Sequence, residues 1–412
     1  MTETIRVNDR PYRLPTRTTV VICVDGFDPA YLEQGIRDRV LPTLARLSKE
    51  GFATTADAAV PTFTNPNNTS IVTGAPPAIH GISGNYYLDR ATGREVMVTD
   101  AHLLRCETIL GRMSHAGVKV AAVTAKDKLC KMLGHNLKGI AFSSQLADAC
   151  TMAENGIADV EALVGRPKPD MYSPDLSLFV LDAGLKLIER ADAQLLYLSL
   201  SDLIQHAHAP GESEADEFHA AIDHRVKRMI ELGALLGITA DHGMNEKTSA
   251  DGSPKVVFLE DELNARFGEG AARVICPISD PFVRHHGALG SFVRVYDMKG
   301  VGISRLMDAT AKLPGVELVM DGPSAARRFE LPLDREGDFV AIAQTDTTIG
   351  AKRSEHDLSG LAGHRLRSHG GISEQPVPFI VSAPLNPEYA AIAKSRRLRN
   401  FDIFDFVLNG TQ

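Results

Sequence analysis

Three aspartates directly follow apolar runs that are typical of buried strands. Asp25 follows the run at 20–24, and Asp202 and Asp241 follow the runs YLSLS and LGITA. A single aspartate after a strand is often only a turn former or the N-cap of a helix. In an open parallel sheet, however, the carboxyl ends of the strands meet at one edge, where ligands bind. We therefore expect the three carboxylates to converge on one site.

Histidines stand close to two of these aspartates in the sequence. His206 follows Asp202 by four residues, which places both side chains on one face of a helical turn. His242 directly follows Asp241, and His369 lies among glycines in RSHGG, where backbone can approach a ligand closely. Aspartate and histidine ligands without thiolates suit Zn²⁺ or Mn²⁺. Because three carboxylates and three histidines are available, two ions are favoured over one.

Residues 61–87, which lie between Asp25 and Asp202 in the sequence, are rich in hydroxyl and amide side chains, proline and glycine. On composition alone this segment is typical of a polar loop followed by a helix start, with Asn67, Asn68 or Thr69 as a cap. A functional interpretation requires the metals, because a threonine hydroxyl is a weak nucleophile unless a divalent cation or a base activates it. The sequence is compatible with both interpretations.

Five short apolar runs predict the strands that position these residues. Their apolar character is continuous rather than alternating, which is typical of strands buried on both faces of a parallel sheet. Helix-like segments at 41–51 and 214–232 lie between them, and His219 and His224 in the second are expected to be solvated. The pattern predicts an α/β fold, a doubly wound and mostly parallel sheet flanked by helices. The five runs are TTVVICV (18–24), VKVAAVT (118–124), QLLYLSL (194–200), ALLGITA (234–240) and VPFIVSA (377–383).

The pattern of apolar residues differs from about residue 246 to residue 365, where short strand-like runs end at Gly, Pro or Asp. Such spacing predicts a small α+β subdomain with antiparallel strands. The apolar run at 377–383 then returns to the core pattern. We therefore divide the chain into a metal-binding catalytic core, residues 1–245 together with 366–412, and a cap insertion, residues 246–365.

Composition excludes several classes of protein. The 412 residues are 44% apolar and 23% charged, as in soluble globular proteins. A net charge of −8 without a basic block argues against nucleic acid as a partner. The five scattered cysteines form no C-x-x-C pair, which is typical of reduced thiols, and neither a signal peptide nor a run of 18 apolar residues is visible. We expect a cytoplasmic protein that does not enter a membrane.

Several motifs follow one another in a specific order between residues 24 and 371. They are VDGFDP (24–29), LPTLARLSKEG (41–51), TNPN (64–67), TG (73–74), HGI (80–82), Asp202 with His206, ADHGM (240–244) and SHGG (368–371). Together they resemble the alkaline phosphatase superfamily, and more narrowly its nucleotide pyrophosphatase/phosphodiesterase branch. Within that branch the chain is similar to the bacterial enzymes that split phosphonoacetate into acetate and phosphate. Sulfatases, a sister branch, carry a C/S-x-P-x-R motif that is absent from residues 62–70, which disfavours sulfate esters.

The resemblance implies a centre of two Zn²⁺ ions, a nucleophile and a homodimeric enzyme. Thr64 corresponds to the nucleophile, which attacks phosphorus and forms a phosphothreonine that water then hydrolyses. Asn85 corresponds to an asparagine that donates a hydrogen bond to a phosphoryl oxygen. The implied ligands are Asp25, Asp241, His242 and the Thr64 oxygen for one zinc, and Asp202, His206 and His369 for the other.

Lys126 and Lys128 are candidates for binding the substrate. In an extended segment after the strand at 118–124 they project from the same side, and two neighbouring ammonium groups favour an anion between them. Breaking the C–P bond of phosphonoacetate expels a carbon leaving group, and ammonium groups on the adjacent carboxylate would stabilise the charge that develops there. Arg284 and His285 in the cap are a second candidate anion contact. The simpler explanation of either pair is an exposed charged surface.

Two other functions are compatible with these residues. A phosphodiesterase or nucleotide pyrophosphatase could use the same metals and Thr64, with Phe63 and Tyr86 or Tyr87 stacking on a base. The chain has no Trp and only 6% aromatic residues, which disfavours base stacking. A metal-binding protein without catalysis is disfavoured because the nucleophile position is intact. We therefore expect a di-zinc hydrolase that acts on a small phosphonate.

Overall fold

The computed structural model describes residues 3–98, 101–279, 287–359 and 365–411. The predicted anion contacts Arg284 and His285 lie outside these described residues. The strands within them are β1 Thr4–Val7, β2 Arg10–Arg13, β3 Thr19–Cys23, β4 Phe52–Asp57, β5 Tyr86–Asp89, β6 Arg94–Met97, β7 Val120–Thr124, β8 Ile140–Ser143, β9 Leu195–Ser199, β10 Leu235–Thr239, β11 Asn245–Glu246, β12 Val256–Phe258, β13 Ala272–Ile275, β14 Phe292–Asp297, β15 Val316–Asp321, β16 Phe339–Ala343, β17 Thr348–Gly350, β18 Arg367–Ser368 and β19 Pro376–Val381.

The α-helices of the described residues lie mostly between the core strands and around the second sheet. They are α1 Pro29–Arg37, α2 Pro42–Glu50, α3 Thr64–Thr73, α4 Pro77–His80, α5 Ile109–His115, α6 Asp127–Leu133, α7 Met152–Asn155, α8 Val160–Val164, α9 Asp175–Glu189, α10 Leu203–Ala207, α11 Ser213–Glu231, α12 Leu259–Phe267, α13 Ile303–Thr310, α14 Gly322–Phe329, α15 Pro387–Ser395 and α16 Ile403–Asn409. None of these helices combines the length and apolar character that crossing a membrane requires.

The central sheet of the described chain has seven strands in the order β4-β19-β10-β3-β9-β7-β8. The five strands from β10 to β8 are parallel to one another, whereas β19 is antiparallel to both β10 and β4. Every residue of β3, β7, β9 and β10 is buried, as their continuous apolar runs predict. The predicted α/β fold with a mostly parallel sheet is confirmed.

Helices cover both faces of this sheet. On one face, Leu198 of β9 packs so tightly on α9 that a Cβ atom at Gly184 would lie 2.7 Å from the Leu198 Cδ1 atom. On the other face, a Cβ atom at Gly237 of β10 would lie 2.5 Å from a methyl carbon of Val407 in α16. Glycine at these two positions therefore allows close helix–sheet packing, and the carboxyl ends of the strands are left to form a site.

A second sheet has four antiparallel strands in the order β13-β14-β16-β15. Its apolar side chains form a separate hydrophobic cluster with α12, α13 and α14, in which Phe292 and Val340 are fully buried. Val60 and Phe63, which precede α3, belong to the same cluster. The antiparallel strands agree with the prediction for this region, while the division at residues 246 and 365 stays a proposal.

The prediction that His219 is solvated is wrong. His219 is buried on α11, with its ring centroid 4.9 Å from the ring centroids of both Phe27 and Tyr31. It follows Ala215 by four residues and precedes Ile222 by three, so it lies on the face of the helix that packs inward. Burial lowers the pKa of His219 to about 3, which keeps the imidazole neutral.

Candidate active site

Three neighbouring strands deliver aspartates to one edge of the central sheet. Asp25 lies just beyond β3, Asp202 beyond β9 and Asp241 beyond β10, and β3 pairs with both other strands. All three carboxylates are buried. The predicted convergence of the aspartates is therefore present in the structure.

Asp202, His206 and His369 form the first candidate metal group. Asp202 precedes α10, and its backbone oxygen accepts the N–H of His206 at 3.0 Å, which closes one helical turn. That turn brings His206 Nε2 to 2.9 Å from Asp202 Oδ2, while His369 Nε2 lies 3.9 Å from the same oxygen. The three ligand atoms lie within 4.8 Å of one another, a spacing that one ion could bridge.

Asp25, Asp202 and His242 form a second group of the same kind. His242 Nε2 lies 3.2 Å from Asp25 Oδ1 and 3.7 Å from Asp241 Oδ2, so Asp241 borders this group. The rings of His242 and His369 stack with centroids 3.6 Å apart. The two groups are therefore adjacent and share the Asp202 carboxylate, which is compatible with a centre of two ions.

Each of the three histidines is oriented by a backbone carbonyl. The Nδ1 atoms of His206, His242 and His369 lie 2.7, 2.9 and 2.7 Å from the carbonyl oxygens of Arg367, Gly243 and Thr62, respectively. A carbonyl can only accept a hydrogen bond, so the proton of each neutral imidazole is on Nδ1. The Nε2 lone pairs consequently face the aspartates, as in histidines that bind a metal.

The charges of the site are not balanced by the described side chains alone. Neither carboxylate oxygen of Asp25 accepts a hydrogen bond from the described residues. Burial, together with the carboxylates of Asp202 and Asp241, raises the pKa of Asp25 well above its ordinary value. Burial alone would lower the pKa of His242, but Asp241 and Asp25 raise it to about 10. Divalent cations would supply the positive charge that these buried carboxylates require, so the donor set fits metal ions.

Thr64 is the first residue of α3, and its Oγ1 atom lies 3.4 Å from His242 Nε2. The hydroxyl is therefore beside the second metal group. It also lies at a helix N-terminus, where the backbone dipoles favour negative charge. A hydroxyl in this environment is suited to lose its proton and attack an electrophile.

The prediction that Asn67, Asn68 or Thr69 caps a helix is wrong, because all three are buried inside α3 and Phe63 occupies the N-cap position. The Asn67 side chain instead accepts the N–H of Ala59 at 2.7 Å and donates to the oxygens of Ala59 and Phe63 at 3.0 and 3.1 Å. These bonds hold the chain that enters α3, so Asn67 stabilises the helix start from within.

Asn68 is a residue of the site that the sequence did not identify. Its Nδ2 donates to Asp241 Oδ2 at 3.2 Å and to the backbone oxygen of Thr64 at 3.1 Å. Its Oδ1 accepts the hydroxyls of Tyr197 and Ser199 at 2.7 and 2.8 Å. Asn68 thus connects β9, α3 and Asp241, which borders the second candidate metal group. Its sequence signal is an amide in a segment rich in amides.

The structure places Asn85 near Thr64 through Asn65, the next residue of α3. Asn65 Nδ2 donates to Asn85 Oδ1 at 2.5 Å, and Asn85 Nδ2 donates to the backbone oxygen of Ile278 at 3.3 Å. The amide of Asn85 is therefore at the edge of the site between α3 and the chain that follows β13.

Lys126 reaches the site, with its Nζ atom 3.4 Å from Asp202 Oδ1 and 28% of its side chain exposed. The prediction that Lys126 and Lys128 share one extended segment is wrong. Lys126 has an extended backbone, but α6 begins at Asp127 and Lys128 lies in its first turn. The Gln145 side chain accepts the backbone N–H of Asp127 at 3.0 Å. The contact with Asp202 places Lys126 beside the metal groups.

The aromatic residues considered for base stacking make internal contacts. Phe63 is buried, and its ring packs edge-on against His369 at a centroid distance of 5.6 Å. Arg335 lies over the ring of Tyr87, 5.3 Å from its centroid, and Tyr86 OH donates to Met97 Sδ at 3.1 Å. These contacts disfavour Phe63 as a base platform.

Comparison with known proteins agrees with this geometry. The family model for type I phosphodiesterase / nucleotide pyrophosphatase matches residues 19–370. Crystal structures of phosphonoacetate hydrolase from Sinorhizobium meliloti 1021, in complex with phosphonoformate and with phosphonoacetate, are 44% identical to this chain, with TM-scores of 0.95 and 0.94. They cover 100% of this chain and 99% of the crystallised chain. A murine ectonucleotide pyrophosphatase / phosphodiesterase 5 structure is 18% identical, with a TM-score of 0.63 and 96% coverage of both chains, and it shares the fold.

Shorter segments match two curated proteins. Phosphonoacetate hydrolase of Penicillium oxalicum is 44% identical over 52 residues, which are 12% of this chain and 72% of that protein. A calcium-transporting ATPase of Myroides odoratus is 32% identical over 105 residues, which are 24% of this chain and 19% of that protein. The match to the ATPase therefore spans about a fifth of that relative.

Proposed function

Since the chain belongs to the type I phosphodiesterase / nucleotide pyrophosphatase family, we propose that it is a metal-dependent hydrolase that cleaves the C–P bond of phosphonoacetate. The products are acetate and phosphate. The substrate is proposed from the likeness over the full chain to a protein crystallised with phosphonoacetate.

One feature of the site carries this proposal. At a single buried edge of the sheet, the Thr64 hydroxyl lies 3.4 Å from His242, and the Lys126 ammonium lies 3.4 Å from Asp202. A nucleophile, two ligand groups for cations and a positively charged side chain are thus available to one small molecule. Phosphonoacetate needs this combination, because it has a phosphonate to be attacked and a carboxylate to be held.

We propose that the cations are two Zn²⁺ ions. When bound, they would supply positive charge that favours the deprotonated Thr64 hydroxyl and neutralises the phosphonate oxygens. Their ligands would be Asp25, Asp241, His242 and the Thr64 oxygen for one ion, and Asp202, His206 and His369 for the other.

The side chains of this protein would then carry the reaction in two steps. Thr64 Oγ1 attacks phosphorus while Asn85 donates a hydrogen bond to a phosphoryl oxygen. The C–P bond breaks, its electron pair moves onto the carbon and the adjacent carboxylate, and Lys126 and Lys128 stabilise that charge until the carbon takes up a proton. The resulting phosphothreonine is hydrolysed by water, which releases phosphate and restores Thr64.

A phosphodiesterase or nucleotide pyrophosphatase is the second candidate, because the matching family is described by these activities. The internal packing of Phe63 against His369 disfavours recognition of a base by this residue. The two functions differ in the substrate bound beside the same metals, so a comparison of substrates separates them.

The reducing compartment and the homodimer also stay proposals. All five cysteines are free thiols, and three of them are buried. Free thiols throughout the chain support a reducing compartment such as the cytoplasm. For the homodimer, size-exclusion chromatography with light scattering would give the mass directly.

Phosphate release by zinc-loaded protein tests the function. We expect release from phosphonoacetate to exceed hydrolysis of 2-aminoethylphosphonate and of p-nitrophenyl thymidine monophosphate. Thr64→Val, which keeps the shape but removes the hydroxyl, should abolish release, whereas Thr64→Ser should retain part of it. Faster turnover of the diester would support the second candidate, and full activity of Thr64→Val would contradict the nucleophile.

A rapid-quench experiment tests the covalent step. Labelled substrate mixed with the Thr64→Ser variant should give a phosphorylated residue 64 that is detected by mass spectrometry. Release of phosphate in a single phase with no labelled protein, even when hydrolysis is slowed, would favour direct attack by water.

A further inference from the structure

Arg294 is a fully buried arginine in the middle of β14, one of the two inner strands of the second sheet. Its guanidinium forms a two-pronged ion pair with Glu336, with Nε 2.9 Å from Oε2 and Nη2 2.7 Å from Oε1. Both side chains have an exposure of 0%. Removing two charges from water is costly, so such a pair is weak evidence for stability and needs another explanation.

The remaining donors of Arg294 bind the segment that carries Asn85. Nη2 donates to the backbone oxygen of Ser83 at 2.8 Å and to its hydroxyl at 2.9 Å, and Nη1 donates to the backbone oxygen of Tyr86 at 3.2 Å. Ser83 and Tyr86 flank Asn85 on either side. The hydroxyl of Ser83 also donates to Glu336 Oε1 at 3.2 Å, so both members of the ion pair hold this segment.

Gly84 shows how closely the segment is held. A Cβ atom at Gly84 would lie 2.4 Å from Pro277 Cβ and 3.3 Å from Arg294 Nη1, and the φ angle of Gly84 is +152°. The adjacent N–H of Asn85 donates to the backbone oxygen of Pro277 at 2.7 Å. The backbone at 83–86 is therefore enclosed between Pro277 and Arg294, both of which come from the second sheet or its connections.

We propose that the buried pair of Arg294 and Glu336 is a positioning device, which fixes the Asn85 amide relative to Thr64. This inference rests on the proposed function, in which Asn85 donates to a phosphoryl oxygen. Arg294 and Glu336 act through the backbone on both sides of Asn85. The second sheet thereby contributes to phosphoryl transfer without supplying a group that touches the substrate.

The test replaces the pair by apolar residues of similar volume, Arg294→Met with Glu336→Leu. Such a replacement of a buried pair leaves no charge without a partner, so the fold should be retained. We expect kcat for phosphate release from phosphonoacetate to fall by about 10- to 100-fold, because a displaced donor loses contact with the transition state. KM should change by less than about threefold.

The same replacement in an Asn85→Ala background separates positioning from a general structural role. If the pair acts through Asn85, adding Arg294→Met/Glu336→Leu to the Asn85→Ala protein should lower kcat by no more than about twofold further. Equal losses in both backgrounds, or no loss in either, would overturn the inference. Arg225→Met with Asp182→Leu, which removes a partly exposed ion pair between α9 and α11 together with the pairing of Asp182 to Arg166, is the control and should leave kcat unchanged.

A readout that does not depend on turnover is the side-chain amide resonance of Asn85 in ¹⁵N-labelled protein. This resonance should shift in the Arg294→Met/Glu336→Leu protein and stay in place in the Arg225→Met/Asp182→Leu protein. An unchanged resonance would overturn the inference. Failure of the parent protein to release phosphate from phosphonoacetate would instead overturn the proposed function, and the resonance would still decide whether the pair positions Asn85.

Discussion

Replacing Asn68 by alanine should weaken both the fold and the metal site. The Asn68 side chain is fully buried and makes four hydrogen bonds, two as donor and two as acceptor. Alanine would leave the buried hydroxyls of Tyr197 and Ser199 without this acceptor and would release Asp241 Oδ2. The perturbation therefore reaches β9, the start of α3 and a candidate metal ligand at once.

The expected magnitude follows from these groups. Each of the two buried hydroxyls that loses its partner costs about 1–3 kcal/mol, so the free energy of unfolding of the metal-free protein should fall by about 2–6 kcal/mol. Loss of a hydrogen bond to a metal ligand typically lowers metal affinity by about 10- to 100-fold. Urea unfolding in the presence of a chelator measures the first effect, and competition of Zn²⁺ with a coloured chelator measures the second.

Asn67 provides the matched control, because it is an equally buried asparagine of the same helix. Its side chain binds Ala59, Pro61, Phe63 and Asn400, and none of these hydrogen bonds reaches an aspartate of the site. Asn67→Ala should thus lose similar stability but keep its Zn²⁺ affinity within about threefold. Equal losses of affinity in the two variants, or unchanged affinity in Asn68→Ala, would refute the role assigned to Asn68.

Three further predictions concern separate parts of the molecule. Lys126→Ala and Lys128→Ala should each lower kcat/KM for phosphonoacetate by about 100-fold. The kcat/KM for p-nitrophenyl phosphate, which has no carboxylate, should stay unchanged. Equal losses in initial-rate assays of both substrates would contradict the carboxylate role. Lys247→Met should lower the free energy of unfolding in urea by about 3–5 kcal/mol, since it leaves the buried Glu374 carboxylate without its cation. The double variant Lys247→Met/Glu374→Leu should recover most of the lost free energy of unfolding. Burial lowers the pKa of His80 to about 3, so between pH 6.5 and 3 the unfolded chain binds more protons and stability rises with pH. His80 should contribute about 2 kcal/mol to the difference in the free energy of unfolding between pH 7 and pH 5, beside the contribution of His219, so His80→Gln should reduce this difference by about 2 kcal/mol; an unchanged pH slope in His80→Gln would disprove the assignment.

The positions of the aspartates could be predicted from the sequence because a strand buried on both faces has a simple pattern. The runs that end before Asp25, Asp202 and Asp241 are continuous in apolar residues, and the strands they form are adjacent and parallel. Parallel strands end at one edge of a sheet, so strand identity was enough to bring the carboxylates together. The spacing of Asp202 and His206 was informative for a similar reason, because both residues belong to one local turn.

Side chains that act over long sequence separations could not be predicted in the same way. Asn68 reads as a helix cap, although its partners Tyr197 and Ser199 are 129 and 131 residues away. The local sequence predicts that Lys128 lies in an extended segment. In the structure the backbone N–H of Asp127 donates to the Gln145 side chain, and the chain enters α6 at that residue. Propensity describes only the local chain, whereas these positions are decided by tertiary partners.

The two buried ion pairs show why such partners bear on function as well as on stability. Arg294 and Glu336 are 42 residues apart, and Lys247 and Glu374 are 127 apart, so in the sequence each of these residues is typical of a solvated surface. In the structure, the first pair binds the backbone on both sides of Asn85, and Glu374 accepts the N–H of Gly371, two residues after His369. Since burying charge is costly, pairs retained only for stability have no reason to lie beside both of these segments of the site. Their location therefore favours a common role in holding the glycine-containing chain that presents Asn85 and His369. It also predicts that apolar replacement of either pair will affect turnover more than it affects unfolding.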